Sequence, residues 1–495
     1  MQYCSTRDSA VRVDAAKAIA QGLSRDGGLF CPTEIPKLTS EDFSALLNMS
    51  YQERAAFVIG KFLSDYTAEE LLEYANSAYH ADRFSSSAIA PVYSLDENAH
   101  VLELWHGPTC AFKDMALQIL PYLLTAALKK TGETKVASIL VATSGDTGKA
   151  ALQGFADVEG TQIAVFYPKD GVSRVQELQM TTQSGKNVYV SSVYGNFDNV
   201  QSKMKEIFSD EALRAEAAKK GTFFSSANSI NWGRAVPQIA YYVSGYCDMV
   251  NSGAIALGDA INVCVPTGNF GNILAAYYAR EMGVPVVKLI CASNRNNVLT
   301  DFFNTGRYDR NREFHITISP AMDILISSNL ERLLYHLTDG DDETIRKYMG
   351  KLSSDGAYTV NADLKNKLSE LFYAGSCDDD RARETISKTF AEHKYLIDTH
   401  TAVGVRVYQD YVEETGDTTK TLIASTASPF KFADSVLAAL GVEVDIDGTE
   451  LLDILSKTTK VSVPQPLAEL KNKEERFRNV TTPDGITDAV FGFIG

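Results

Sequence analysis

Lys113 lies inside HGPTCAFKDMALQ, residues 106–118, directly after the apolar pair Ala111 and Phe112. An amine attacks an aldehyde only when unprotonated, so a catalytic lysine needs burial or neighbours that lower its pKa. The pattern predicts a helix over 114–128 opening directly behind the lysine, with Pro121 as a kink. A second signal is VPTGNFGNILAAYYARE at 265–281, where a β-branched run at 262–265 and helical periodicity from 273 make 267–272 a strand-to-helix turn. Gly268 and Gly271 allow close backbone approach to an anion, and Asn269 and Asn272 add amide donors, a set suited to one phosphate group. The turn lacks the Gly-Lys-Ser/Thr ending of a nucleotide-binding loop, which argues against ATP or GTP. A third turn, TSGDTG at 143–148, lies between a predicted strand at 135–142 and a helix beginning over 149–155; its hydroxyls and open N–H groups suit a carboxylate or a second phosphate. Asp146 is the odd member there, and we expect its carboxyl to be held close to neutral or engaged with backbone N–H groups. A solvated lysine, an ordinary glycine turn and a plainly capped helix are the everyday alternatives for these segments taken singly.

Strands and helices must deliver these turns. From residue 101 onward, KVASILVA (135–142), QIAVFYP (162–168), NVYVSSV (187–193), INVCVP (261–266), VVKLIC (286–291) and TLIAS (421–425) alternate with helical stretches. That alternation predicts α/β domains with mainly parallel sheets. Residues 1–93 read as a mainly helical N-terminal domain, clearest over 50–63 and 64–81, and 94–495 as a catalytic region of two α/β domains. Within it, 331–394 is polar and helical and reads as a surface-exposed insertion whose charge run is a solvated face. A chain of 495 residues fits about three domains.

Composition narrows the function classes. With 45% hydrophobic and 22% charged residues the chain is ordinary globular protein. A net charge of −16 at pH 7 disfavours nucleic acid as a partner, so small anionic ligands need local donors. No run of 18 apolar residues predicts a membrane span, and the first residues lack the core of a signal peptide. The 7 scattered cysteines read as reduced core thiols of a cytoplasmic protein, and the 7 histidines show no metal-ligand spacing, so no metal is assigned.

The lysine segment, the 144–148 turn and the 268–272 turn occur in the order found in fold type II pyridoxal phosphate enzymes, the tryptophan synthase β-subunit-like group. HGPTCAFKD resembles the lysine motif of threonine synthases, and SRDGGLFCPTEIP (24–36), SSANSINWGR (225–234), PAMDILISSNLERLL (320–334), DTHTAVGV (398–405) and STASPFKF (425–432) agree with that family, in its longer microbial and fungal subgroup. The resemblance runs through nearly the whole chain and implies pyridoxal 5′-phosphate as cofactor and conversion of O-phospho-L-homoserine and water into L-threonine and phosphate. It implies that Lys113 holds the cofactor and then moves protons, that Gly268, Asn269, Phe270, Gly271 and Asn272 cradle its phosphate, and that Thr426 faces its ring nitrogen. Ser144, Asp146 and Thr147 would surround the substrate carboxylate and the cofactor's O3′ edge. Asn228, Ser229 and Arg234 would bind the departing phosphate, Arg234 through its fork geometry, with a structural arginine as the alternative. One departure is Ser428, where many family members carry a histidine while Lys431 remains. A related serine or threonine dehydratase or β-replacement enzyme, and a non-catalytic relative, are the competing readings; the subgroup implies a monomer, with a homodimer as the alternative.

Overall fold

The computed structural model describes residues 1–494. Two parallel sheets organise the chain. The larger has six strands in the spatial order Phe372–Ser376, Val286–Ser293, Ile261–Pro266, Thr421–Ser425, Ala99–Glu103 and Val92–Ser94, parallel except for the last pair. The second has five parallel strands in the order Asn479–Thr481, Val188–Val193, Thr161–Pro168, Val136–Ala142 and Thr222–Ser225. Ile261–Pro266 and Thr421–Ser425 are buried at every position, because helices cover both faces of the sheet. Strands of that kind read as continuous apolar runs, and these two match their sequence-predicted limits.

The segment read as mainly helical, 1–93, opens instead on a three-stranded antiparallel sheet of Asp8–Asp14, Gln2–Ser5 and Phe30–Pro32. Its strands are short and one alternates half-exposed with exposed positions, so they carry no apolar run. Helices then follow at Ser40–Leu46, Tyr51–Phe62 and Ala68–Ala78, each opened by a capping box: Thr39 with Asp42, Ser50 with Glu53, and Thr67 with Glu70. This unit packs on the helix Trp232–Asn251, where the Trp232 ring meets Tyr3, Phe62 and Tyr278 at centroid distances of 5.4 to 5.7 Å.

Two further expectations are revised. The stretch 331–394 holds the helices Asp342–Ser354, Ala362–Leu371 and Asp379–His393, but also the strand Phe372–Ser376, which forms the edge of the six-stranded sheet. Only five residues long and containing Gly375 and Ser376, that strand is hidden by its polar helical flanks. Pro121 does not kink a helix over 114–128; the chain breaks into Asp114–Leu117 and Leu120–Lys130, with Pro121 in the first turn of the second, where its missing N–H costs nothing.

Candidate active site

Every segment singled out for chemistry leaves the C-terminal end of a parallel strand, the position at which α/β sheets collect ligands. Lys113 follows Ala99–Glu103, Asp146 follows Val136–Ala142, Arg234 follows Thr222–Ser225, the 267–272 turn follows Ile261–Pro266, and Thr426 follows Thr421–Ser425.

The lysine loop is held from inside and from outside. The buried Asp114 carboxylate accepts from the N–H (2.8 Å) and hydroxyl (2.7 Å) of Thr109, closing the loop on itself. Burial raises the Asp114 carboxyl to about 6 despite those bonds. Phe112 N–H donates to the Thr426 carbonyl (2.8 Å) and Ser428 N–H to the Cys110 carbonyl (3.0 Å), which zips the loop to the 426–428 stretch and brings Thr426, 5% exposed, beside Lys113. The Lys113 side chain, 13% exposed, lies 5.3 Å from the centre of the Phe112 ring and 3.7 Å from Asp146 Oδ2. Burial lowers its pKa; Asp146 opposes that shift, and the charges of Lys431 and Arg234 add to it. An amine in this setting is primed for attack on a carbonyl.

In the 143–148 turn, Gly145 adopts φ 135°, and a Cβ there would stand 2.6 Å from the Gln176 side chain. Its helix starts at Asp146, earlier than expected. Thr143, whose hydroxyl was expected with the others of this turn to face an anion, instead accepts from the N–H groups of Gly145 (3.0 Å) and Gly148 (2.9 Å). The N–H groups of Ser144, Asp146 and Thr147 have no acceptor among the described residues, and Ser144 is exposed with Thr147 half-buried beside it. Asp146 differs from expectation: it is neither neutral nor engaged with backbone N–H groups. Its carboxylate lies 2.8 Å from Lys431 Nζ and accepts from Gln176 Nε2 at 3.1 Å. Burial alone would raise its pKa, but the charges of Lys431 and Lys113 and the two side-chain hydrogen bonds hold it well below the usual carboxylate range.

The 267–272 turn has the opposite character. Phe270 is left-handed (φ 68°) and caps the helix Gly271–Met282, its ring 6.0 Å from Phe303 and 6.1 Å from Phe372. A bulky residue keeps that strained backbone only where packing holds it. Ser327 hydroxyl donates to the Gly268 carbonyl (2.7 Å), Asn329 Nδ2 to the Asn269 carbonyl (2.9 Å) and Asn272 Nδ2 to the Pro266 carbonyl (2.8 Å). The backbone N–H groups from 268 to 272 have no acceptor among the described residues, the arrangement that suits an anion at a helix N-terminus. Gly268 is pressed by the 320–322 turn, so that a Cβ would lie 2.8 Å from the Ala321 carbonyl oxygen.

Arg234 sits in the first turn of Trp232–Asn251, 3% exposed, with one hydrogen bond, from Nη1 to the Ala227 carbonyl (2.6 Å). Among the described residues its Nε has no partner and no carboxylate pairs with it, and burial lowers its pKa to about 10. A buried guanidinium left in this state is a receptor for an anion. Ser229 approaches the 267–272 turn through Asn329 Nδ2 (3.5 Å), while Asn228 is exposed.

Several participants escaped the sequence reading. Gln176 and Gln179 lie on one face of the helix Arg174–Thr181; Gln179 accepts from Lys431 (3.1 Å) and donates to the Thr109 carbonyl (3.3 Å). The spacing of glutamines in VSRVQELQMTTQ was the available signal. Asn329 is itself braced by the fully buried Arg332, whose Nη1 donates to Asn329 Oδ1 (2.6 Å). His400 accepts from Ala321 N–H (3.1 Å) and pairs with Asp398 (2.7 Å), bracing the turn that presses on Gly268.

The family described as Threonine synthase N terminus matches residues 2–79, Pyridoxal-phosphate dependent enzyme matches 89–426, and Threonine synthase, C-terminal matches 401–490. The chain is 40% identical over 438 residues to human Threonine synthase-like 1, covering 86% of this chain but only 58% of that protein. It is 36% identical over 476 residues to the threonine synthase of Pseudomonas aeruginosa, covering 95% of this chain and 97% of that one. Among solved structures, PLP-bound threonine synthase from Brucella melitensis superposes with a TM-score of 0.88 at 36% identity, covering 100% of this chain and 99% of that chain. Yeast threonine synthase gives 0.88 at 33% identity, covering 100% and 98%. A matched domain over most of the chain, full-length relatives and a shared fold together establish that the chain belongs to the threonine synthase family of pyridoxal-phosphate-dependent enzymes.

Proposed function

We propose that this chain converts O-phospho-L-homoserine and water into L-threonine and phosphate. The single observation that carries the reading is Arg234, a buried guanidinium with an unpartnered Nε whose charge reaches Lys113. A dehydratase acting on serine or threonine has no second phosphate to hold and no use for it. A non-catalytic relative would have no reason to keep Lys113 in a setting that lowers its pKa.

The residues present fit pyridoxal 5′-phosphate: open N–H groups at 268–272 for a monophosphate, a buried amine for its aldehyde, and a hydroxyl at Thr426 for its ring nitrogen. When bound, that cofactor is an electron sink that lets protons leave Cα and Cβ of an amino acid. Gly268, Asn269, Phe270, Gly271 and Asn272 would grip the cofactor phosphate, and Asp146 would serve the side of the site that takes its phenolic oxygen. Ser144 and Thr147 hold the substrate carboxylate with hydroxyl and N–H donors. Lys113 Nζ takes protons from Cα and Cβ and, after phosphate has left, delivers protons to Cγ and Cα, a task for a flexible amine within reach of these carbons. Asn228, Ser229 and Arg234 hold the substrate phosphate while the Cγ–O bond breaks and the electron pair leaves with it, Arg234 balancing the charge. Water then supplies the oxygen at Cβ, and Cγ ends as a methyl group.

The cysteines are free and buried, which fits a reducing compartment, and we read the protein as a cytoplasmic monomer. Among the described residues no helix is long and apolar enough to cross a membrane. The test is to supply O-phosphohomoserine, L-serine and L-threonine separately to the purified protein. Threonine and phosphate in equal amounts from the first, with little turnover of the others, support the reading; 2-oxoacid from serine or threonine as the main product overturns it.

A further inference from the structure

Two lysines face one carboxylate in this site, and their surroundings differ. The Lys431 side chain is wholly buried, and its ammonium is surrounded by three acceptors: the Thr109 carbonyl (2.8 Å), Gln179 Oε1 (3.1 Å) and Asp146 Oδ1 (2.8 Å). An ammonium has three N–H groups, so every donor is used. Lys113 has only the distant contact of 3.7 Å to Asp146 Oδ2, beyond hydrogen-bond range. Lys431 follows the six-stranded sheet in Pro429–Phe432, whereas Asp146, Gln176 and Gln179 belong to the five-stranded unit, so this ion pair also ties the two sheets together at the site.

We propose that Lys431 is a positioning residue that reserves the Asp146 carboxylate for itself, leaving Lys113 free to act as nucleophile and proton carrier. This rests on the reading of Lys113 as the group that takes the cofactor. Without a competitor, Asp146 would close on Lys113 and stabilise its ammonium form, which cannot attack a carbonyl. With Lys431 bound to one oxygen, the carboxylate's charge is already answered, and an anionic substrate can approach the 143–148 turn without meeting an unbalanced negative group. The charged and titratable groups facing Lys113 are Asp146, Lys431 and Arg234; those facing Lys431 are Asp146, Lys113, Asp114, Lys149 and Cys110. Burial also lowers Lys113, so the exchange of partners sets the remainder of the balance.

The sign follows from the geometry. Removing Lys431 gives Lys113 a nearby carboxylate of its own, so its pKa rises and it is neutral only at higher pH. Removing the Asp146 charge takes away its one opposite charge, so its pKa falls. The experiment uses the full chain freed of cofactor and measures, by mass spectrometry, the rate at which an acetylating reagent modifies Lys113 across pH 5 to 11. In Lys431→Met the midpoint of that profile should rise by about one unit or more, a roughly tenfold slower reaction below it. In Asp146→Asn the midpoint should fall, and in the double variant it should return to the wild-type value or below. A folded Lys431→Met with an unchanged midpoint overturns the proposal. If Lys431→Met does not fold, Lys431→Gln, which keeps a donor but not the charge, is read in its place, and an unchanged midpoint there likewise overturns the proposal. No substrate enters the measurement, so failure of the threonine synthase reading would leave these midpoints unaltered.

Discussion

The turns at 143–148 and 267–272 begin from one plan, a buried parallel strand running into glycines and a helix N-terminus, and end with opposite electrostatics. The second is neutral: the Gly268 and Asn269 carbonyls are tied back by Ser327 and Asn329, and the N–H groups from 268 to 272 are left without an acceptor among the described residues. The first is charged at its centre, with Asp146 between Lys431 and Lys113, and Thr143 already takes two of its N–H groups. A helix N-terminus with free N–H groups can hold a phosphate with no help from charge. A turn built round a carboxylate requires a fixed cation from elsewhere before an anion can share the space. Under the proposed function, the difference separates two tasks, permanent grip on a cofactor and selective, reversible contact with a substrate.

The comparison can be broken most severely at the lysine both turns serve. Lys113→Ala should abolish turnover and the visible absorbance of the bound cofactor while leaving the fold intact by circular dichroism; retention of both would remove Lys113 from the chemistry. Next in size is Arg234→Ala. Breaking a desolvated charge-assisted contact costs about 2–5 kcal/mol, or roughly 30-fold to several thousand-fold in kcat/KM. The cofactor spectrum should survive, because the proposed function gives the cofactor phosphate to the separate 268–272 turn. Loss of cofactor would place Arg234 in the wrong half of the comparison.

Gly268→Ala probes the neutral turn alone. A Cβ 2.8 Å from a backbone oxygen forces a shift, at a cost of about 1–3 kcal/mol, which is roughly five- to 150-fold in cofactor Kd. Equilibrium titration with pyridoxal phosphate measures it, and KM for substrate should change far less. Smallest of all is Ser144→Ala in the charged turn, where one neutral hydrogen bond of about 0.5–1.5 kcal/mol is lost. KM for O-phosphohomoserine should rise roughly two- to twelvefold. A larger effect on cofactor binding than on KM would erase the division of labour between the turns.

What could be read from the sequence tracks how local each feature is. INVCVP and TLIAS declare themselves because full burial on both faces leaves only apolar positions, and the glycines at 268 and 271 mark a backbone that must come close to something. Arg234 could be singled out from the sequence as a candidate for binding phosphate, but not its unpaired Nε, which depends on what the fold places around it. The strand Phe372–Ser376 was not legible, being a short edge among polar helices. Asp146 was misjudged for a physical reason: an isolated carboxylate in an anion-binding turn does call for neutralisation, and the neutralising group is an ammonium delivered by a distant segment. Lys431 stood in view within STASPFKF, yet only the packing of one sheet against the other brings it to Asp146.

The most direct test of the account is to run the reaction of O-phosphohomoserine in ¹⁸O-labelled water and locate the label. Cleavage at Cγ followed by addition of water at Cβ predicts label in the threonine hydroxyl and none in the released phosphate. Label in the phosphate, with homoserine as the organic product, would mean hydrolysis at phosphorus and would contradict the account.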